Sequence, residues 1–356
     1  MLDWMKRAGG TRDRVDNAME DVGSYFGNRW LGRSLGLLLG LYLLVTLLLG
    51  WYWSQEPEPF PVQQSAAAAA EQAQRQLVTG YTTVATLKRV SSTLLDKPGG
   101  YLSNDIAPPG LWLDNMPSWE YGVLVQVRDL SRSLRKDFAR SQSQSTEDPD
   151  LAKAEPHLNF DNRSWALPAS ETEYRDGLKF LDSYLARLSD PAQPQAIFYA
   201  RADNLNNWLG DVSTRLGSLS QRLSASVGRV RLNTDIAPQE AASKGLIPQV
   251  NEEIVKTPWL QIDNVFYEAR GQAWALSHLL RAIEVDFADV LAKKNATVSV
   301  RQIIRELEAA QAPLWSPMVL NGSGYGILAN HSLVMANYIS RANAAIIDLR
   351  MLLAQG

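Results

Sequence analysis

One segment near the N-terminus constrains this chain more than any other, because it is too apolar to lie in water. Between Leu31 and Trp53 the only charged residue is Arg33. About twenty helical residues, at roughly 1.5 Å each, cross a hydrocarbon core of about 30 Å. Trp30 and Trp51 stand at the two ends of the segment, where aromatic rings suit the membrane interface. The sequence predicts a transmembrane helix over residues 31–53.

The charges on either side of this helix predict its orientation. Six basic residues lie at or before its start, and the first one after it is Arg75. The positive-inside rule therefore places residues 1–30 in the cytoplasm and residues 54–356 on the periplasmic side of the membrane. A cleaved signal peptide is the alternative, although its apolar region is only about 7–15 residues long and no small-x-small site follows directly.

Two features beside the span leave alternatives open. Residues Thr11–Phe26 of the cytoplasmic tail carry apolar side chains at helical intervals, typical of a surface-bound amphipathic helix and also of a solvated tail. Within the span Gly32, Gly36 and Gly40 recur every four residues. Such a row lets two membrane helices pack closely, which favours a homodimer or a partner helix. Glycine is also common in membrane helices in general, and this is the other interpretation.

The region beyond the span is predicted to be all-α. Residues 54–64 contain three prolines and indicate a stiff, extended spacer. Ser65, as an N-cap before five alanines, predicts a helix that continues to Leu95. Apolar side chains then recur at spacings of three and four, and strand-like alternation is nearly absent. We therefore expect a helix-pair or bundle architecture.

An internal repeat organises this region. The segment Asn104–Pro108 recurs 130 residues later as Thr234–Pro238. Further along, the offset is 149 residues, and the matched residues are Gly122 with Gly271, Arg132 with Arg281, and Asp137 with Asp286. We infer a duplicated helical bundle with halves at residues 65–188 and 196–356, joined by a turn-rich linker at 189–195. Chance similarity between amphipathic helices is the alternative.

The repeated charged residues predict packing contacts. Arg132 and Asp137 are five residues apart, as are Arg281 and Asp286. That spacing is about 140° around a helix, so the members of a pair cannot meet on their own helix. We expect each to contact a neighbouring helix, and a ligand role is the second interpretation.

The repeated Asp-Ile-Ala-Pro segments provide the first candidate partner or ligand surface. Proline holds the preceding residue extended and aspartate can close an Asx turn, so both copies predict rigid loops. In the functional interpretation Asp105 and Asp235 line a shared groove and face a partner. The tryptophans that follow them, Trp112 and Trp259, suit either a core or a partner surface.

A long loop over residues 313–330 provides the second candidate surface. It contains Trp315, Tyr325 and a glycine-rich run, and loops of this length are often functional. It lacks the ending of a phosphate loop and the order of a nucleophile elbow. A glycine hinge whose two aromatic side chains plug the bundle is the alternative.

Composition excludes several classes of function. The chain has no cysteine, which removes disulfide scaffolds, zinc ribbons and cysteine nucleophiles. Its three histidines are far apart, and its net charge of -3 argues against nucleic-acid binding. We therefore predict no catalytic residue, no metal and no cofactor. A cysteine-free region outside the membrane favours a bacterial periplasm, and hence the inner membrane.

The chain resembles a known family over nearly its whole length. The resemblance rests on the start of the span at Arg29–Gly32, its exit at Trp51–Trp53 and the segment Asn104–Asn115. These are similar to a proteobacterial family of inner-membrane proteins classified as a domain of unknown function. The resemblance implies a single N-terminal span with a helical periplasmic region, and it implies no activity.

Three functions remain open from the sequence. The first is a non-enzymatic scaffold or accessory subunit that binds an envelope protein in the periplasm. The second is a helical module that binds or senses a lipid or small amphiphile between its halves, which requires an apolar pocket there. A periplasmic hydrolase is the third, and it requires convergent polar groups in a cleft.

Overall fold

The chain forms two compact units, Met1–Trp53 and Ser54–Gly356. The computed structural model describes residues 30, 32–140, 146–232, 252–314, 319–321 and 331–355. In the first unit helix α1 (Gly32–Trp53) has a mean hydropathy of 2.1, and most of its side chains face outward. By length and composition α1 can cross a membrane, a test that a signal sequence also passes.

The second unit is built from helices, which confirms the all-α class. Within the described residues its α-helices are α2 (Val62–Gln72), α3 (Tyr81–Asp96), α4 (Asn115–Ser133), α5 (Leu151–Leu158), α6 (Ser170–Leu188), α7 (Ala202–Ser224), α8 (Ile262–Asp286), α9 (Ala288–Lys293), α10 (Thr297–Ala309) and α11 (His331–Ala354).

Helices α4 and α8 form the centre of this unit and pack closely against each other. A Cβ atom added to Gly122 would lie 2.1 Å from the carbonyl oxygen of Glu268, and one added to Gly271 would lie 2.0 Å from that of Trp119. Only glycine lets the two backbones approach this closely. Beside the crossing, the rings of Trp119 and Trp274 pack with centroids 5.3 Å apart.

The same order of packed helices occurs twice around this centre. Helices α3, α4, α5 and α6 form one set, and α7, α8, α10 and α11 form the other. In the first set α3 and α5 each pack against α4 and α6. In the second set α7 and α10 each pack against α8 and α11 in the same way. The crossing residues Gly122 and Gly271 are the pair separated by 149 positions. This order supports the duplication, which stays a prediction together with its boundaries.

The first helix after the span is shorter than expected. The predicted continuous helix over residues 65–95 is wrong, because α2 ends at Gln72 and α3 begins at Tyr81. Gln74 and Gly80 between them have φ values of 54° and 91°, in the left-handed region that interrupts a helix. Ser65 is not the N-cap either, since its N–H bonds the carbonyl of Pro61 within the first turn.

One short pair of strands adds to the helical architecture. Strands β1 (Arg229–Leu232) and β2 (Glu252–Val255) pair antiparallel, with Arg231 opposite Glu253. Among the described residues, the set formed by α3, α4, α5 and α6 contains no such pair of strands.

The proline-rich segment is docked on the bundle. Glu56 accepts two hydrogen bonds from the Arg270 guanidinium, at 2.6 and 2.9 Å, and the Phe60 ring stacks on His278 with centroids 4.2 Å apart. Residues 56–61, called the strap below, therefore run along α8 from its N-terminal half towards its C-terminal end. The spacer predicted over residues 54–64 thus contacts the central helix of the unit.

The neutral form of His278 holds the end of the strap against α8. Its Nε2 accepts the backbone N–H of Phe60 at 3.1 Å, and its Nδ1 lies 2.6 Å from the carbonyl oxygen of Trp274. A neutral imidazole, with one donor and one acceptor, satisfies both bonds. Burial lowers the pKa of His278 to about 4, so the ring stays neutral near pH 7.

Candidate functional site

One opening of the second unit lies where α4 and α8 begin. It is a crevice of about 730 Å³. Residues from the first turns of both helices line it, among them Asp114, Ser118, Gln261 and Asn264. The two central helices therefore run in the same direction, and their positive N-terminal ends meet at this crevice.

A buried ion pair holds one wall of the crevice in place. Lys97 Nζ lies 2.7 Å from Glu120 Oε1, with side chains 1% and 0% exposed. Glu120 also accepts the backbone N–H groups of Leu102 and Ser103, both at 2.9 Å. Burial raises the pKa of Glu120, while Lys97 and these donors oppose that rise. The charged helix residue thereby fixes the loop that carries the first candidate surface.

Asp105, predicted to face a partner, lines the crevice. Its carboxylate packs across Gly110, where an added Cβ would lie 1.9 Å from Oδ2, so only glycine fits there. Partial burial raises the pKa of Asp105, and the negative charge of Glu171 raises it further. The prediction of a rigid loop agrees with this packing.

A second acidic pair lies at the helix starts. Burial raises the pKa of Asp263, and so does the nearby carboxylate of Asp114. These two residues are 149 positions apart, like the glycines of the crossing. The buried amide oxygens of the next residues, Asn115 and Asn264, have no hydrogen-bond partner among the residues that the structure describes. Of these four residues, Asp114 and Asn264 line the crevice and bring a carboxylate and an amide oxygen to it.

Apolar side chains surround this acidic crevice. Trp112 and Trp259 lie in short 3₁₀ turns just before α4 and α8. Together with their neighbours they form what we call the apolar rim, whose exposed fractions are Ile106 60%, Leu111 58%, Trp112 53%, Trp259 72% and Leu260 76%. Of these residues Leu111 lines the crevice itself, and large exposed apolar side chains beside polar residues are a feature of interaction sites.

The charges that line the crevice suit a cationic group. Asp105, Asp114 and Glu268 line it, against Arg163. Glu268 is paired with Arg222 at 2.5 Å. Burial is the main cause that raises the pKa of Asp105, in the crevice, and of Asp263, beside it, and a neighbouring carboxylate raises each further. The positive ends of the two helix dipoles offset part of this negative charge, and a bound cation would offset more of it. No group of three or more potential metal ligands occurs in the described part of the chain.

The repeated charged residues lie away from the crevice. Asp286 accepts the backbone N–H and the hydroxyl of Thr83, both at 2.6 Å, and so caps α3. Asp137 lies 3.4 Å from Asn207 on α7, so each aspartate contacts the first helix of the opposite set. Burial raises the pKa of both aspartates.

Their arginine partners differ from each other. Arg281 pairs with Glu308 on α10, as expected for a contact with a neighbouring helix. Arg132 instead lies 3.2 Å from Asp129, three residues earlier on its own helix. Asp129 is also paired with Arg215 of α7 at 2.9 Å.

The remaining predicted residues are not part of the described site. Asp235, Trp315 and Tyr325 lie outside the described residues. Gly32, Gly36 and Gly40 lie on α1, and a Cβ added to any of them would meet nothing within 4 Å. A homodimer through this face stays a prediction.

Sequence reasoning did not identify Lys97 and Glu120 as site residues. One signal was present, because Glu120 lies four residues after Met116 and four before Leu124, both buried. A carboxylate on the buried face of a helix requires a partner. The partner itself could not be read from spacing, because Lys97 precedes the helix by a long loop.

Comparison with known proteins places the chain in a family. A family profile matches residues 25–356, and its description is "Uncharacterized protein conserved in bacteria (DUF2333)". The chain belongs to this family. The match includes α1 and the whole second unit, which confirms the resemblance to a bacterial family of unknown function. No curated protein and no solved structure matches the chain.

Proposed function

We propose that this DUF2333 protein is a non-enzymatic, single-pass inner-membrane protein whose periplasmic unit binds an envelope partner. The crevice between the starts of α4 and α8 carries the proposal, because carboxylates without sufficient cations lie inside an exposed apolar rim. The partner that fits is a polypeptide segment in which lysine or arginine alternates with apolar side chains.

The membrane anchor is supported by the length and hydropathy of α1 and by the basic residues before it. Only Ser54 and Gln55 separate the last residue of the helix from Glu56, the first residue of the strap. The anchor is tested by fractionation and by a phosphatase fused after Gly356. We expect the full-length chain in membranes and an active phosphatase; a mature chain that starts after Trp53 would contradict the proposal.

The binding surface is tested with a defined probe. A short fluorescent peptide of alternating lysine and leucine is titrated into the full chain in non-ionic detergent, with a glutamate-leucine analogue beside it. We expect binding of the lysine peptide alone. The double variant Asp114→Asn/Asp263→Asn should weaken that binding at least tenfold, because it removes the negative charge at the helix starts.

A matched control separates this site from general charge effects. Asp203 and Asp289 are exposed aspartates at the starts of α7 and α9, outside the crevice. The double variant Asp203→Asn/Asp289→Asn changes the net charge equally and should leave binding unchanged. The micelle background is common to all variants. Equal weakening in both double variants, or binding of the glutamate peptide, would overturn the partner proposal.

A further inference from the structure

A second opening, separate from the acidic crevice, lies between α2, α3 and α6. This groove has a volume of about 590 Å³ and is lined by residues of opposite character from those of the crevice. Its charged residues are Arg75, Lys88, Arg89 and Asp182. Three cations therefore face one carboxylate, which leaves an excess of two positive charges.

The single carboxylate, that of Asp182, is already paired with two cations of the groove. Asp182 accepts two hydrogen bonds from Arg75, both at 2.9 Å, and Lys88 Nζ lies 2.6 Å from its Oδ1. These donors lower the pKa of Asp182 to about 2, so it remains ionised. Two cations share one negative charge, and each retains donors that a further anion could use.

Arg89 has a different environment. Its guanidinium donates to the Ser65 hydroxyl and lies 4.1 Å from the centroid of the Phe60 ring. Among the residues that the structure describes, Arg89 is paired with no carboxylate. A guanidinium held by a hydroxyl and an aromatic face keeps its full positive charge for a ligand.

The other residues that line the groove include several small apolar side chains. It is lined by Ala68 and Ala69 of α2, Ala73 just after that helix, Ala85 of α3 and Leu185 of α6. Alanine is the smallest side chain that still favours a helix, so this run leaves open the volume that larger side chains would fill. The groove thus has a cationic side and an apolar side, within the usual size range for small-ligand pockets of about 300–1,000 Å³.

We propose that this groove binds a phosphate-bearing ligand with an apolar chain. Lys88 and Arg89 contact the phosphate, because arginine and lysine are the side chains best suited to it. The alanine wall of α2 contacts the apolar chain. A lipid headgroup and a free phosphate share this chemistry, and a lipid source rests on the membrane anchor proposed above.

The test uses the full chain in non-ionic detergent and three phosphorus probes. Dihexanoyl phosphatidylglycerol, dihexanoyl phosphatidylcholine and inorganic phosphate are titrated separately, and binding is followed by calorimetry and ³¹P line broadening. We expect the glycerol lipid to bind at least tenfold more tightly than the choline lipid, whose own cation meets the excess positive charge. Equal affinity for inorganic phosphate would show that the apolar chain adds nothing, which would overturn the role of the alanine wall and leave a site for free phosphate alone.

Variants locate the binding. Lys88→Gln and Arg89→Gln should each weaken binding of the glycerol lipid about tenfold. Ala69→Leu fills the apolar wall and should abolish that binding; Ala69 is exposed, so the chain tolerates the larger side chain. Ala67→Leu is the matched control, because Ala67 lines a different opening, against α8.

Two results would overturn the proposal. One is the absence of binding by all three probes to a chain with an unchanged circular dichroism spectrum and melting temperature. The other is binding that survives Lys88→Gln, Arg89→Gln and Ala69→Leu equally. Neither result bears on the membrane anchor, since no membrane is present in the assay.

Discussion

Gly122 and Gly271 meet the opposite central helix in a reciprocal way: Gly122 contacts the backbone at Glu268, and Gly271 contacts it at Trp119. Trp119 and Glu268 are themselves 149 positions apart. Two identical subunits related by a two-fold axis make contacts of this kind, because each residue meets the same partner residue on the other subunit. The two sets of helices therefore share one core at this point.

We predict that Gly122→Ala destabilises the second unit by at least about 2 kcal/mol, because the new Cβ would overlap backbone that cannot move aside. Urea unfolding of the full chain in detergent measures this. Gly217→Ala on α7 is the control, since its Cβ would lie 3.5 Å from Asn343 Nδ2, an ordinary contact. The control should be neutral or more stable by up to about 1 kcal/mol. Equal effects would contradict the close crossing.

The ion pair of Lys97 and Glu120 gives a second prediction. Removing one partner leaves a buried charge uncompensated, so Lys97→Met should cost about 3–5 kcal/mol. The double variant Lys97→Met/Glu120→Met should be more stable than Lys97→Met alone. Lys179→Met, which removes an exposed pair with Asp176, should leave the melting temperature unchanged. If the Lys97→Met chain melts at the same temperature as the control, the buried ion pair does not hold the loop at Leu102 and Ser103 in place.

Stability should fall in mild acid because of His278. Its pKa is about 4 in the folded chain, against 6.5 for an unperturbed histidine, so the unfolded chain binds the extra proton between these values. The stabilisation is therefore complete above about pH 6.5 and is lost as the pH falls towards 4, by at most about 3 kcal/mol. Unfolding at pH 7, 5.5 and 4.5 measures the loss.

His278→Gln provides the comparison for this pH effect. Glutamine can donate to Trp274 and accept from Phe60 without titrating in this range. The variant should lose less stability than the parent between pH 7 and 4.5. Parallel pH profiles for the two chains would show that His278 does not cause the effect.

The strap gives a fourth prediction. Glu56→Gln removes the carboxylate that Arg270 binds, and Arg270 is 6% exposed, so its charge loses its partner. Hydrogen exchange at the Phe60 amide, which donates to His278 in the docked strap, should rise at least tenfold in the full chain. Glu58→Gln, an equal change at an exposed position two residues later, should leave exchange unchanged. Similar exchange in both variants would contradict the docking of the strap through Glu56.

Periodicity predicted the helices of this protein well. The apolar side chains that recur every three or four residues include Val127 and Leu130, and also Leu276 and Leu279; all four are buried on α4 or α8, as the periodicity predicts. The spacing of apolar side chains shows which residues share one face of a helix, so the helices could be recognised from the sequence. That spacing carries no information about backbone φ values, so the helix break at Gln74 and Gly80, which have positive φ, was missed.

The candidate site was predicted only in part. Asp105, Trp112 and Trp259 were singled out because they recur. Asp105 lines the crevice and the two tryptophans lie in the turns just before α4 and α8, while their role in binding stays a prediction. The acidic pair of Asp114 and Asp263 depends on two helices that start side by side, a tertiary relationship that no local pattern encodes. The groove near Lys88 was not anticipated either, since its residues come from three helices.

The docked strap has a mechanical consequence. Arg270 binds Glu56 on one side and the carbonyl oxygens of Ala310 and Ala312 on the other. A pull on the chain at Ser54 would therefore load the middle of α8 and the end of α10 directly, instead of stretching a slack tether. Because α8 crosses α4 backbone to backbone, the same load would pass at once to both sets of helices.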